Sequence, residues 1–376
     1  MKLAFCLVRY FPFGGMQKSF RAIAEEALRR GHALRVYAHR WQGEPLAGAT
    51  LVPVPLRGLG TPARQRHYVE FVRAHLAAHP VDLTVGFDRV PGLDVHYAAD
   101  DCLAARLEGR RGAIRRALPR YRHLLGFERA VFASGGATRL MFISGRQRDA
   151  CLRHYPQAAE AASTLLPPGI APNRMDEAAQ ADARAAVRRE LGADGSRVVL
   201  LAIGSGFRTK GLERTLRAIA ALPPSLRDGL VLAVAGQGEA RPFLRLARRL
   251  GLGDRLRMLG GRDDVPRLLA AGDLLLHPAR SEAAGAVLLE AGVAGVPVLA
   301  SGVCGFAPFV AQYGFGRVMP EPFSPQVYAR TLREMLEASA EERARWRANG
   351  RAFGRVADVY GRARHAVDFL EAGVRR

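Results

Sequence analysis

Two kinds of apolar pattern alternate along this chain, short solid runs and stripes of helical spacing, and the whole series occurs twice. The first run covers 3–8, and a glycine-containing loop at 11–15 follows it. Behind the loop, Phe20, Ile23, Ala24, Ala27 and Leu28 fall at i, i+3, i+4, i+7 and i+8. That spacing predicts an amphipathic helix over 16–30, closed by Gly31. Further runs at 34–38, 51–54, 83–87, 95–98 and 140–143, with a helical stretch at 65–78, read as strands of a parallel sheet covered by helices. Pro167-Pro168-Gly169 interrupts the series, and the Ala-rich stretch 172–196 predicts a helix. The second series places strands at 198–203, 230–235, 256–259, 274–276 and 298–300. Its helices are expected at 212–221, 241–250, 265–271 and 284–294, and the tail (325–336 and 341–372) reads as helical.

The fold class that follows is α/β, with two Rossmann-like domains facing a central cleft. Ligands are then expected where strand C-termini meet helix N-termini. The boundaries fall at 1–168 for the first domain and 169–355 for the second. The last stretch, 356–376, is expected to pack as a helix back on the first domain. With 376 residues, 49% hydrophobic and 24% charged, the chain has material for two cores, which excludes disorder and a disulfide-stapled miniprotein.

Charge changes the picture. The formal net charge is +21, and only three of the 56 cations are lysines (Lys2, Lys18, Lys210). Codon bias exchanges Lys for Arg but creates no excess of cations, so an anionic partner is expected. Residues 101–129 hold eight arginines (Arg106, Arg110, Arg111, Arg115, Arg116, Arg120, Arg122, Arg129) against Asp101, Glu108 and Glu128. This segment reads either as a solvated helix face or as a surface that meets anionic lipid. With Tyr121 and Phe127 as its main stacking aromatics and no reader motif, it argues against nucleic acid. Cys6, Cys102, Cys151 and Cys304 lie far apart, as expected of idle thiols in a reducing compartment, and the ten histidines form no metal-ligand cluster. The apolar run at 3–8 is too short for a signal-peptide core, and no run approaches a bilayer span. A cytosolic protein is expected.

Two places carry candidate chemistry. Gly204-Ser205-Gly206-Phe207-Arg208-Thr209-Lys210-Gly211 follows a strand and precedes a helix, so its backbone and cations suit a pyrophosphate. It matches neither G-x-G-x-x-G nor the P-loop, and a plain tight turn is the alternative. Glu282 and Glu290 bracket a helix start. If that stretch is helical throughout, they stand ~12 Å apart along the axis and within ~80° in rotation, so one ligand could touch both. The alternative makes Glu282 a favourable charge at a helix N-terminus and Glu290 a surface residue.

The E-x-x-x-x-x-x-x-E spacing of Glu282 and Glu290 resembles that of the retaining glycosyltransferases of family 4. The resemblance extends through Gly261-Arg262-Asp263-Asp264, Leu274-Leu275-Leu276-His277-Pro278 and Gly295-Val296-Pro297-Val298-Leu299. A closer likeness, to glucosyltransferases of the lipopolysaccharide core, rests on Phe11-Pro12-Phe13-Gly14-Gly15-Met16-Gln17, Val85-Gly86-Phe87 and Pro91-Gly92-Leu93-Asp94-Val95. Ala98-Ala99-Asp100 and Leu166-Pro167-Pro168-Gly169-Ile170 complete it, so it spans nearly the whole chain. The resemblance implies a GT-B fold whose first domain binds the acceptor and whose second binds the nucleotide sugar.

It further implies that Glu290 binds ribose and that Glu282 binds the donor sugar, helped by backbone at Ala284 and Gly285. Lys210, with Arg174, would neutralise the diphosphate, with Gly206 and Arg208 in the same loop. Arg262 would lie near the uracil, Gly14 and Gly15 near the phosphates, and Asp100 near the acceptor or the reacting sugar. The implied reaction moves glucose from UDP-glucose to an inner-core heptose in α-1,3 linkage, with retention and without metal or other cofactor. The implied place is the cytoplasmic face of the inner membrane, where segment 101–129 meets the anionic surface. A same-fold transferase with another nucleotide sugar or acceptor, a sugar-nucleotide epimerase, or a basic binding protein are the alternatives. Two departures stand out. Ser19 occupies a position that is acidic in relatives, and the cations of 208–210 come in a different order.

Overall fold

The computed structural model describes residues 1–12, 14–170, 177–193, 195 and 197–373, without the side chains of Arg110, Arg111, Glu177 and Ala178. The chain divides into two compact units. One is Met1–Gly169 together with the chain from Gly361 onward, and the other is Ile170–Tyr360.

The first unit holds β1 (Lys2–Cys6), β2 (Arg9–Tyr10), β3 (Ala33–Ala38), β4 (Arg40–Trp41), β5 (Ala49–Pro53), β6 (Leu83–Gly86), β7 (Val95–Ala98), β8 (Arg139–Phe142) and β9 (Ser163–Leu165). Its main sheet is wholly parallel, in the order β5-β3-β1-β6-β7-β8-β9, and β2 and β4 pair separately. The helix Gly15–Arg29 buries Phe20, Ile23, Ala24 and Ala27, the stripe read from the sequence, while Leu28 stays partly exposed.

The second unit holds β10 (Val198–Ile203), β11 (Leu230–Ala235), β12 (Leu256–Gly260), β13 (Leu274–His277), β14 (Val298–Ser301) and β15 (Gly316–Met319). Their order is β12-β11-β10-β13-β14-β15, again parallel throughout. Numbered within the unit this is 3-2-1-4-5-6, the doubly wound order whose switch point lies between its first and fourth strands. Helices cover both faces of the sheet, so central strands read as unbroken apolar runs, and Leu230–Ala235 is buried at every position.

The helical tail over 341–372 is two helices, Ala340–Val356 and Arg362–Ala372. The break falls where the chain passes from the second unit back to the first, and Ala357 is extended there (ψ 140°). The last helix lies on Gly15–Arg29, with Arg30 bonded to Asp368 (2.7 Å) and Glu371 (2.9 Å). The GT-B fold of two Rossmann-like domains accounts for both sheets.

Candidate active site

In the second unit the switch point lies at the C-terminal ends of β10 and β13, and Gly206, Arg208, Lys210 and Glu282 lie on the loops that follow these strands. The loop after β10 carries Gly206 (φ 77°), Arg208 and Lys210. It is fastened to the loop after β13, because Arg280 N–H donates to the Thr209 carbonyl (2.7 Å). Gly211 (φ 77°) has its Cα so close to Pro278 that a Cβ would collide with the Pro278 carbonyl oxygen. Lys210, with a side chain 25% exposed, forms an ion pair with Glu282 Oε2. His277 Nε2, at the end of β13, lies 3.2 Å from the same oxygen and is buried.

Burial alone would push the Glu282 pKa up. The His277 hydrogen bond and the Lys210 charge outweigh it and hold the carboxyl at about 2. Glu282 therefore stands ionised and fixed, with its side chain still 14% exposed.

Glu282 does not lie in a helix, contrary to the geometry assumed from the sequence. It forms a parallel bridge with Cys304, its carbonyl accepts from Gly305 N–H (3.1 Å), and the Ala284 carbonyl accepts from Phe306 N–H (2.8 Å). These bonds take the carbonyls that a helix would use. Gly285, in the left-handed region (φ 91°), then caps the helix Ala286–Val293, which carries Glu290 partly buried.

Arg262 is committed to protein partners. Its guanidinium is bidentate on Asp264 (both 2.7 Å) and donates to Glu190 (2.6 Å), so a base could meet only its backbone or a rearranged side chain. Arg208 is exposed. Arg174 lies outside the described residues.

The other candidates sit in the first unit. Gly14 is the N-cap of Gly15–Arg29, and a Cβ there would collide with the Gln17 side chain, whereas Gly15 faces open space. Asp100, exposed at 76% of its side chain, lies 3.7 Å from Arg89. Sequence reasoning missed Asp88 and Arg89, which follow β6 at the corresponding switch point. It also did not single out His277, which meets Glu282, although a histidine closing a strand at a switch point was a usable signal.

The basic segment folds as Leu103–Arg106, Arg110–Ala117 and Pro119–Phe132. Arg106, Arg115, Arg116, Arg120, Arg122 and Arg129 are exposed, with Ile114 (67%) and Leu118 (50%) among them. Glu128, counted from sequence as a charge opposing these arginines, is wholly buried and faces inward, so the outer face is more positive than the segment's composition.

The sequence model of the family described as Glycosyl transferases group 1 matches residues 183–353. The lipopolysaccharide glucosyltransferase WaaG of Escherichia coli K12 is 41% identical over 374 residues, all of both chains. A D-inositol 3-phosphate glycosyltransferase of Streptomyces avermitilis is 34% identical over 60% of this chain and 49% of its own length. Among solved structures, WaaG, a glycosyltransferase involved in lipopolysaccharide biosynthesis, superposes with a TM-score of 0.91 at 40% identity, covering 98% of this chain and 99% of that one. Anabaena HepE in complex with UDP-glucose superposes at 0.73 with 19% identity, over 99% and 100% of the two chains, a likeness of fold.

Proposed function

The chain belongs to the glycosyl transferases of group 1, and from that premise we propose that it moves glucose from UDP-glucose to an inner-core heptose of lipopolysaccharide, with retention at the anomeric carbon. The observation that carries this reading is the ionised Glu282 beside Lys210 at the switch point, in a chain 41% identical throughout to a lipopolysaccharide glucosyltransferase. In the transfer, the bond from the anomeric carbon to the diphosphate oxygen breaks, and a bond to the acceptor hydroxyl forms on the same face. The hydroxyl proton passes to an oxygen of the departing diphosphate. Positive charge grows on the sugar and negative charge on the diphosphate.

Lys210, with Arg174, meets that negative charge; one preorganised donor of this kind supplies about 3–4 kcal/mol in the transition state. Glu282 and the backbone at Ala284 and Gly285 orient the glucose, and Glu290 binds the ribose hydroxyls. Gly206 and Arg208 line the phosphate loop, and the backbone at Arg262 lies toward the base. Gly14, Gly15 and Asp100 are the first unit's contributions to binding. Calorimetric titration with UDP-glucose, UDP-galactose, UDP-N-acetylglucosamine, ADP-heptose and GDP-mannose tests the donor. Selective binding of UDP-glucose is expected, and preference for another nucleotide sugar would discard the glucosyl assignment.

The acceptor places the enzyme at the cytoplasmic face of the inner membrane. The exposed arginines with Ile114 and Leu118 among them support contact with an anionic lipid surface, at about 1 kcal/mol per cation near it. The helix Gly60–Ala78 is tied to the same segment by Gln65 and His123 (3.0 Å). Leu59, 95% exposed, stands at its start. Among the described residues no helix is long and apolar enough to cross a membrane. Replacing Arg115, Arg120 and Arg122 by Gln should weaken sedimentation with phosphatidylglycerol-containing vesicles roughly a hundredfold at low salt, from ~1 kcal/mol for each charge. Unchanged binding would move the contact elsewhere.

A further inference from the structure

The two side chains that meet Glu282, Lys210 and His277, do not stand alike toward it. Lys210 reaches the carboxylate from a loop, on a flexible four-carbon stem with its side chain 25% exposed. His277 reaches the same oxygen from the last position of β13, where it is paired with Ala300 of β14. Its carbonyl accepts from Ala279 N–H (2.9 Å), and the buried thiol of Cys304 lies against that carbonyl. A carboxylate oxygen only accepts, so His277 Nε2 carries the hydrogen of this bond. One of the two donors is therefore free to turn away, and the other is fixed by the sheet.

If Lys210 meets the diphosphate, it cannot hold Glu282 with the same strength. The carboxylate then loses its nearest positive charge in a site where burial favours the neutral form. We propose that His277 is the positioning residue of the donor site, keeping Glu282 charged and in place while Lys210 serves the diphosphate. This rests on the reading of Glu282 and Lys210 given above. Among the described residues, the titratable groups around the carboxylate are Lys210 from the loop after β10, His277 at the end of β13 and the thiol of Cys304 in the bridged segment.

The test compares His277→Asn with His277→Gln. Both are polar and of similar size, but the amide nitrogen of Gln can stand in for Nε2, whereas that of Asn falls short of Glu282. UDP release with UDP-glucose and a heptose-terminated acceptor is followed across pH, alongside UDP affinity and Tm. His277→Asn should lower kcat by about 10- to 100-fold, the cost of a misplaced orienting group. Its acidic limb should move up by about one pH unit as Glu282 loses a donor, with UDP affinity and Tm unchanged. His277→Gln should restore most of both. Equal behaviour of the two variants, with Glu282→Ala inactive, would overturn the inference and leave the donor-site reading standing. Full turnover by Glu282→Ala would overturn both.

Discussion

Both units wind their sheets in the same order, yet their switch points treat carboxylates in opposite ways. In the first unit, Asp88 accepts from Val8 N–H at 2.6 Å and so joins the ends of β1 and β6. Glu128 behind it has no exposure and takes five donors. These are the amides of Leu103 (2.7 Å) and Ala104 (2.9 Å), the Tyr155 hydroxyl (2.9 Å), the Cys102 thiol (3.7 Å) and Arg89 (3.1 Å). In the second unit, the described donors to Glu282 are Lys210 and His277, both on Oε2, and the side chain keeps some exposure. A carboxylate saturated with donors and sealed from water holds structure. One that is ionised, partly open and held at one oxygen is arranged to take a ligand.

Removing the two carboxylates should separate these roles most widely. Glu128→Ala leaves the Leu103 and Ala104 amides and the Tyr155 hydroxyl without their acceptor in the interior and takes the buried carboxylate from Arg89, a loss of about 3–5 kcal/mol that should lower Tm by roughly 10 °C. Glu282→Ala should cost less, about 1–3 kcal/mol, since Lys210 can turn to water and only the buried His277 Nε2–H is left without its acceptor, yet it should abolish transfer. Similar losses of Tm in the two variants, measured by calorimetry, would erase the distinction.

Lys210→Ala should reduce turnover by about 100- to 1,000-fold with an unchanged Tm. Full activity would remove Lys210 from the mechanism.

The smallest effect is expected at Asp88. Burial foremost, with the charge of Asp100, pushes its pKa from 3.8 to about 6, against the pull of the Val8 amide and of Arg89 and Arg9. A carboxyl whose folded pKa is raised binds its proton more tightly when folded. That contribution to stability is present below about pH 4 and is lost as pH rises through 6. Asp88→Asn keeps an oxygen for Val8 N–H and carries no charge, so it should raise Tm by a few degrees at pH 8 and leave it unchanged at pH 4. An equal gain at both pH values would show that the charge is not the cause.

Much of the fold was legible because central parallel strands are solid apolar runs and their covering helices carry a stripe. Val198–Ile203, Leu230–Ala235 and Val265–Ala271 fall at the residues expected from the sequence. The strands that went unread are Ser163–Leu165, Gly316–Met319 and the pair Arg9–Tyr10 with Arg40–Trp41. Short, and at an edge or outside the main sheets, they are held by one neighbour and carry little apolar signal of their own. The helix Gly60–Ala78 began five residues before the expected stretch, since its first turn has no apolar stripe to announce it.

By itself the sequence determined the doubly wound class, the glycine loop at 204–211, the paired glutamates and the likeness to a glycosyltransferase family, because these depend on residue type and local spacing. Only the tertiary structure decided that Lys210 and His277, 67 residues apart in sequence, meet on one oxygen of Glu282. It also decided that Glu128 points inward from a basic segment and that Glu282 lies in a bridge to Cys304 rather than in a helix. Each of these depends on which strands become neighbours and how far a side chain is withdrawn from water, and neither quantity is carried by spacing along the chain.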